Sequence, residues 1–587
     1  MKPRFLEETE EAFAVKQHVI FRFNTTDRFY WPEDGIGPAY LQFFLAKAFQ
    51  KRGYRVAQYS ASSGFVELNE NDRKSKSEKL QNLSGQQEPH LVLNRIVPLL
   101  RDKSEKWLVL IHYGEHLAPA HSVVISASST PAAQVYTTEL LHLISLDDGI
   151  AAGDSRVTII TYGEMPADLV ARSVGYRVIE INHPSYEERL AFIEFLQGKF
   201  NNDFEQGLDS KKLSAITSGI PLVEVEKLYR SSSHHKKPIS REQVKLSKAR
   251  AIKQLTGDLL EVSEPEEKMA DVAGLDHLKE VFLNLAWHLR EGHAGVPQSI
   301  LLNGTPGCGK SLAVRALASE LGWVLIEFRS IRGPYVGQSE SQLELVIRVA
   351  EQFDHSVIFF DEIDQLIGQR GVGVSGDSGT SERMLARIMT WIGSMKHRGK
   401  ILFVGASNRP DLLDQAILDR FPVSVPILHP ARKDIAELLP LLAKRFHRNF
   451  AKEVSMEETA VMLAPLRPTG RGLQEIIINA GLRADKEKKK VGTQIGMRHL
   501  EQAAAEYLPV EDPLEMEFIS LTSLAKCSSS AYLPWMSMEG LRPDAEIPAE
   551  LVSEGIVDEK TGRLDKMKLH QKLRELAQAR QYARIMR

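Results

Sequence analysis

The chain has 587 residues, 43% of them hydrophobic and 26% charged, with a formal net charge of −3. That length suggests about three to five domains, and the near-neutral charge gives no global pull toward nucleic acid or an anionic membrane. Two cysteines, Cys308 and Cys527, do not make a disulfide scaffold and point to a reducing, cytoplasmic setting. Residues 1–8 lack an apolar core, so no signal peptide is expected. No apolar run approaches ~18 residues, so no membrane span is expected.

In chain order, strands are predicted at 18–24, 55–59, 107–111, 157–161 and 177–181. Amphipathic helices lie between them at 39–52, 89–101, 135–145 and 185–199. Helical patterns follow at 209–217, 222–231 and 240–258. Residues 67–88 are polar and residues 118–133 are small and Ser/Ala-rich; both read as loops. The segment His112-Tyr113-Gly114-Glu115-His116 fits H-x-x-E-H, a zinc-protease signature. That chemistry needs both histidines on one helical face, whereas this segment follows a strand and Gly114 interrupts it. It is read as a decoy, and His234-His235 as a loop between helices. Residues 261–269 read as an acidic linker.

A buried strand at 299–303 then leads into Gly304-Thr305-Pro306-Gly307-Cys308-Gly309-Lys310-Ser311, and a helix is predicted from Ser311 to Leu321. This fits G-x-x-x-x-G-K-[ST] in the strand–loop–helix context that the motif requires. Glycines let successive N–H groups face an anion, and the helix N-terminus adds its positive dipole end. Lys310 is placed to reach the β- and γ-phosphates of ATP, and Ser311 to ligate Mg2+. A second core strand is predicted at 323–328. The apolar run 357–360 ends in Asp361-Glu362, about 50 residues after the phosphate loop. There Asp361 is placed to hold the Mg2+ shell and Glu362 to polarise the attacking water. The strand at 401–405 leads to Asn408, an amide that can orient water. A short helix is predicted at 412–418, and Arg420 follows it at a domain edge, where a guanidinium can stabilise phosphate charge in a neighbouring subunit.

Residues 271–510 resemble an AAA+ ATPase. The opening Asp271-Val272-Ala273-Gly274-Leu275 resembles the family segment lining the adenine pocket; its Walker A falls on 304–311, with Leu312 following, and its Walker B on 357–362. The resemblance places sensor 1 on Asn408 and a trans-acting finger on Arg420. Asp419 stands where family members often carry a second arginine, so one finger is supported. Arg471, in Thr469-Gly470-Arg471-Gly472-Leu473, stands where sensor 2 belongs, facing either nucleotide or solvent. Gly333-Pro334-Tyr335-Val336-Gly337 resembles the aromatic pore loop of protein-remodelling members, with Tyr335 and Val336 as the gripping pair; the Gly-rich stretch 371–379 reads as its companion.

The first half repeats the same order without the chemistry. Phe23-Asn24-Thr25-Thr26-Asp27-Arg28-Phe29-Tyr30 holds no glycine nest and no lysine, and the Walker B position reads His112-Tyr113. The arrangement resembles bacterial and plastid AAA ATPases with a degenerate N-terminal module. The expected architecture is α/β: tandem AAA+ modules, each a parallel sheet flanked by helices with a small helical lid. The expected division is a degenerate module at 1–258 (core about 15–200, lid about 205–258), a linker at 259–270, a nucleotide-binding core at 271–428, a lid at 429–510 and an extension at 511–587. Lid helices are predicted at 431–446, 456–464, 470–486 and 496–507. In the extension, 511–545 reads as loop-like and 564–586 as a basic helix. It is expected to dock on a neighbouring subunit, on a partner or on its own ATPase domain.

The resemblance implies a homo-oligomer, expected to be a hexamer, that hydrolyses ATP with Mg2+ and remodels an unidentified protein client. Two alternatives are an ATP-gated switch or scaffold and a nucleic-acid motor. The latter is disfavoured because no basic groove is evident.

Overall fold

Strand segments without polar alternation bury both faces, as in parallel sheets covered by helices on each side. The computed structural model describes residues 2–68, 88–118, 132–162, 165, 175–256, 260–291, 293, 295–328, 338–353, 355–366, 380–413, 415–509, 512–544 and 546–586. It holds two such sheets, one in each of two compact units, Met1–Ala251 and Ile252–Arg587.

The first unit contains β1 (His18–Phe23), β2 (Arg28–Trp31), β3 (Ile36–Tyr40), β4 (Arg55–Ser60), β5 (Gly64–Glu67), β6 (Trp107–His112), β7 (Arg156–Ile160) and β8 (Tyr176–Ile181). Its sheet runs β5-β4-β6-β7-β1-β8, and β2–β3 form a separate hairpin. The second unit contains β9 (Leu260–Ser263), β10 (Ser299–Gly304), β11 (Val324–Phe328), β12 (Ser356–Phe360), β13 (Ile401–Ser407) and β14 (Val423–Ile427), ordered β14-β10-β13-β12-β11-β9. Read from one edge, both sheets have the same path: an antiparallel edge strand, then the second, third, fourth, first and fifth parallel strands. The sequence reading of α/β modules holds, with one antiparallel edge strand added to each sheet.

Alternate residues feed opposite cores. On β6, Trp107, Val109 and Ile111 join one apolar cluster, and Leu108 and Leu110 the other. A bundle of helices follows each sheet: Tyr186–Phe200, Ser210–Ile216, Leu222–His235 and Arg241–Thr256 in the first case, and Arg432–Arg445, Met456–Leu463, Gly470–Lys488 and Met497–Ala505 in the second. Each bundle has one parallel backbone bridge at the same place, Phe204 with Ile239 and Phe450 with Ile495.

Several expectations need correction. The acidic linker is partly β9, whose Leu260 is buried and which pairs antiparallel with β11. His234-His235 end the helix Leu222–His235 and are not a loop. A one-turn helix, Gly114–Leu117, does form in the H-x-x-E-H segment, but His112 remains on β6, so the two histidines share no helical face.

The segment 511–545 is not loop-like throughout, because Pro513–Ala525 is a helix. Asp512 caps it through Leu514 N at 2.9 Å, with Pro513 in the first turn. Its hydroxyl residues, which disguise the pattern, bond back to carbonyls one turn earlier: Ser520 to Met516, Thr522 to Phe518 and Ser523 to Ile519. This helix, the two-strand ribbon β15 (Met536–Ser537) and β16 (Gly540–Leu541), and the helix Lys566–Met586 enclose buried Trp535 and Leu569. The basic helix therefore packs on its own chain, while Met567 and Tyr582 point to solvent.

Candidate functional site

β10 ends at Gly304, where an added Cβ would lie 1.8 Å from the Ile427 carbonyl oxygen. Only glycine lets the chain leave the sheet so close to its neighbour. Thr305 N then donates to that oxygen at 3.1 Å. Gly309, at φ +90°, turns the loop into the helix Lys310–Leu321, whose unpaired N–H groups open onto the loop. Lys310 is only 6% exposed. Its Nζ donates to the carbonyl oxygens of Gly304 (2.9 Å) and Thr305 (2.8 Å). Burial lowers its pKa to about 8, opposed by the charges of Cys308, Asp361, Asp364 and Glu362. A desolvated ammonium held by two neutral carbonyls lacks an anion, and the loop fits a phosphate chain on that ground.

Ser311 Oγ donates to Asp361 Oδ2 at 3.1 Å, which brings the two residues expected to hold Mg2+ together. Glu362 follows at φ +51°, a left-handed conformation costly for a side-chain-bearing residue. Its N–H donates to Asp361 Oδ1 at 3.0 Å. Asn408 Nδ2 reaches Glu362 Oε1 at 3.5 Å, while Asn408 Oδ1 is buried without a hydrogen-bond partner among the described residues. Catalytic contacts are often this long before substrate binds. Two supporting residues escaped the sequence reading. Buried Asp364 accepts from Ser407 Oγ at 2.7 Å, and that oxygen accepts from Arg409 N at 3.0 Å. The pair fixes the strand tip bearing Asn408; Ser407 ends β13, and Asp364 lies on the short helix Ile363–Leu366 after β12.

The opening segment lies beside this loop. Asp271 accepts from Lys268 N at 2.8 Å. Val272 is buried in one apolar cluster with Leu302, Cys308 and Ala313, against which Leu312 packs. Ala273 is half-buried, and Gly274 faces Asp434 of the first lid helix. Pro306 carries the carbonyl oxygen 3.9 Å from Cys308 Sγ. The third lid helix meets the loop directly, since a Cβ on Gly307 would lie 3.3 Å from both Thr469 Oγ1 and Arg471 Cβ. Arg420 is not drawn into this group. It ends the helix Gln415–Arg420, is exposed, and lies against Gly393. Tyr335, Val336 and the stretch 371–379 lie outside the described residues.

A family model of the ATPase family associated with various cellular activities (AAA) matches residues 300–427. Two more match the first half: the AAA+ chaperone N-terminal Rossmann-like domain over 1–182 and the AAA+ chaperone second helical domain over 187–255. The chain belongs to the AAA+ ATPases. A cell division cycle protein 48 homolog of Archaeoglobus fulgidus is 28% identical over 389 residues, 60% of this chain and 52% of that protein. Protein mac-1 of Caenorhabditis elegans is 33% identical over 36% of this chain and 27% of its own length. The proteasome-activating nucleotidase of Methanocaldococcus jannaschii is 29% identical over 38% of this chain and 52% of its own. The chain thus spans about half, or less, of these relatives' lengths.

Strand register aligns the AAA+ module of the second unit with the first. Phe360 pairs with Gly405 as Ile111 pairs with Ile159. On that register His112 stands at the place of Asp361, Tyr113 at that of Glu362 and Tyr162 at that of Asn408. Tyr113 keeps the left-handed backbone, φ +55°. The support survives too, with Thr161 Oγ1 donating to Glu115 Oε2 at 2.9 Å as Ser407 does to Asp364. The acid, the base and the amide do not: the rings of Tyr113 and Tyr162 meet at 4.8 Å, tilted by 41°, where Glu362 and Asn408 meet.

Among the described residues no helix is long and apolar enough to cross a membrane.

Proposed function

We propose that the chain is an ATP-driven protein-remodelling motor of the AAA+ chaperone type. Its second unit hydrolyses ATP and its first does not. The observation that carries this reading is the convergence of Lys310, Ser311, Asp361, Glu362 and Asn408 around one glycine loop, set against His112, Tyr113 and Tyr162 at the matching places.

Main-chain N–H groups of 304–311 and the Lys310 ammonium bind the phosphates. Ser311 Oγ and Asp361 would hold Mg2+, which supplies charge neutralisation on the β- and γ-phosphate oxygens. A Glu362 carboxylate oxygen takes the proton of the attacking water, and Asn408 Nδ2 holds that carboxylate in place. Arg420, exposed and outside the cluster, completes the charge stabilisation in the site of a neighbouring copy; this assigns a homo-oligomer, with a hexamer as the family's implied form. Asp271, Val272 and Ala273 line the base, and Arg471 at the lid helix N-terminus couples phosphate occupancy to lid position. Hydrolysis then moves Tyr335 and Val336 against a client polypeptide. An aromatic ring grips chains of any sequence, as threading needs.

Glu362→Gln protein, which binds ATP without turning it over, should retain the client on affinity capture. Tyr335→Ala separates motor from switch. The motor reading requires that it lose client remodelling and keep basal phosphate release, and unchanged remodelling would refute threading.

A further inference from the structure

Residues 409–413 join the two groups assigned to water and to trans charge: they leave Asn408 and enter the helix carrying Arg420. The C-terminal extension holds both ends of this segment. At its start, Arg409 makes two hydrogen bonds to Asp411 (3.0 and 2.9 Å) and lies 3.9 Å from Glu515 Oε1. Glu515 receives two hydrogen bonds from Arg580 (2.7 and 2.6 Å). The Arg580 side chain is 11% exposed and stacks 3.9 Å over the Phe518 ring. At its end, Lys526 Nζ donates to the Leu413 carbonyl oxygen at 2.6 Å. Glu515 and Lys526 are at opposite ends of the helix Pro513–Ala525, and Ser528 beyond it pairs with β14 by Ser424 N to Ser528 Oγ (2.9 Å) and Ser528 N to Ser424 O (3.2 Å).

We infer that this helix, fastened to Lys566–Met586 through Arg580, is a clamp that positions Asn408 and Arg420 for hydrolysis; the inference rests on the assignment of those residues proposed above. Glu515, Lys526 and Arg580 bond to the segment and to the extension, and act as positioning residues. The physical case is leverage on a short segment. A helix of thirteen residues is a rigid bar roughly 20 Å long, and it is anchored to the sheet by Ser424. Paired guanidinium–carboxylate bonds are directional as well as strong. Moving either end of 409–413 displaces Asn408 from Glu362, or turns the helix that presents Arg420. Displacements near 1 Å at a reacting group cost up to ~10²-fold in rate.

The test compares phosphate release at saturating ATP with equilibrium binding of a fluorescent ADP analogue, on the full chain. Glu515→Gln and Lys526→Met should each lower kcat about tenfold, while KM, analogue affinity and melting temperature stay near wild type. Arg580→Lys, which keeps one charged contact, should lose less than Glu515→Gln. Unchanged kcat in folded Glu515→Gln and Lys526→Met protein overturns the clamp. So does a loss that tracks only the unfolded fraction. If Glu515→Gln does not fold, Lys526→Met decides alone, because its bond lies at the opposite helix end. Absence of turnover in the wild-type chain overturns the hydrolysis reading itself, whereas turnover with insensitive variants overturns the clamp only.

Discussion

The two units solve the same core-to-lid contact in opposite ways. Both first parallel strands end beside the fifth with the same bond, Thr305 N to Ile427 O at 3.1 Å and Asn24 N to Ile181 O at 3.2 Å. In the second unit the loop after that bond is a glycine cradle facing the third lid helix at Arg471. In the first, the loop carries its own anion. Asp27 is buried, and its carboxylate accepts from Arg28 N (2.7 Å), Asn24 Nδ2 (2.9 Å) and Val223 N (2.8 Å). Val223 is the second residue of the third helix of its bundle, as Arg471 is of its own. Arg28 adds an ion pair to Glu226 at 2.9 Å on the same helix. The first unit thus joins loop to helix through a side-chain carboxylate, where the second has only glycine facing Arg471.

The comparison is broken most directly by removing the second unit's cation. Lys310→Ala should abolish Mg2+-dependent phosphate release, a loss of at least ~10³-fold. Residual turnover at wild-type affinity would mean that the first unit works as well. Arg420→Ala should cost ~10²-fold or more, and mixing it with Glu362→Gln protein should restore activity above either alone. No recovery in mixed assemblies would remove the trans assignment. Arg471→Ala should weaken ATP binding about tenfold with little effect on folding, read by nucleotide titration.

The effect at Asp27 is on stability and not on turnover. Burial pushes its carboxyl up to about 6. Its contribution to stability is therefore fully present below the unfolded value near 4, and it is lost as pH rises through about 6. Asp27→Asn, which does not titrate, should gain on wild type as pH rises from about 4 to 6, by up to about 3 kcal/mol. Hydrogen exchange in Leu222–His235 of the full chain measures this. A wild-type-to-variant difference independent of pH would show that Asp27 carries no such burden.

The glycine loop of the candidate site, the Asp361-Glu362 strand tip and Asn408 were legible because each is written within a few consecutive residues. A strand followed by glycines, lysine and serine dictates its own local geometry. The repeated strand order was legible for the same reason, since continuous apolar runs mark buried strands wherever they occur. The helix Pro513–Ala525 was missed because its serines and threonines satisfy their hydroxyls against its own backbone. β9 was missed because an edge strand draws its stability from hydrogen bonds to β11, some sixty residues away.

The sequence by itself determined which unit carries the lysine, aspartate and glutamate of the candidate site, since Lys310, Asp361 and Glu362 are present or absent as letters. Only the tertiary structure decided what stands at the matching place in the first unit, and what packs beside the candidate site in the second. Asp27 on Val223, Asp364 under Ser407 and Glu515 between Arg409 and Arg580 are bonds between residues far apart in the chain. Their worth comes from burial and direction, which no local pattern of residues encodes.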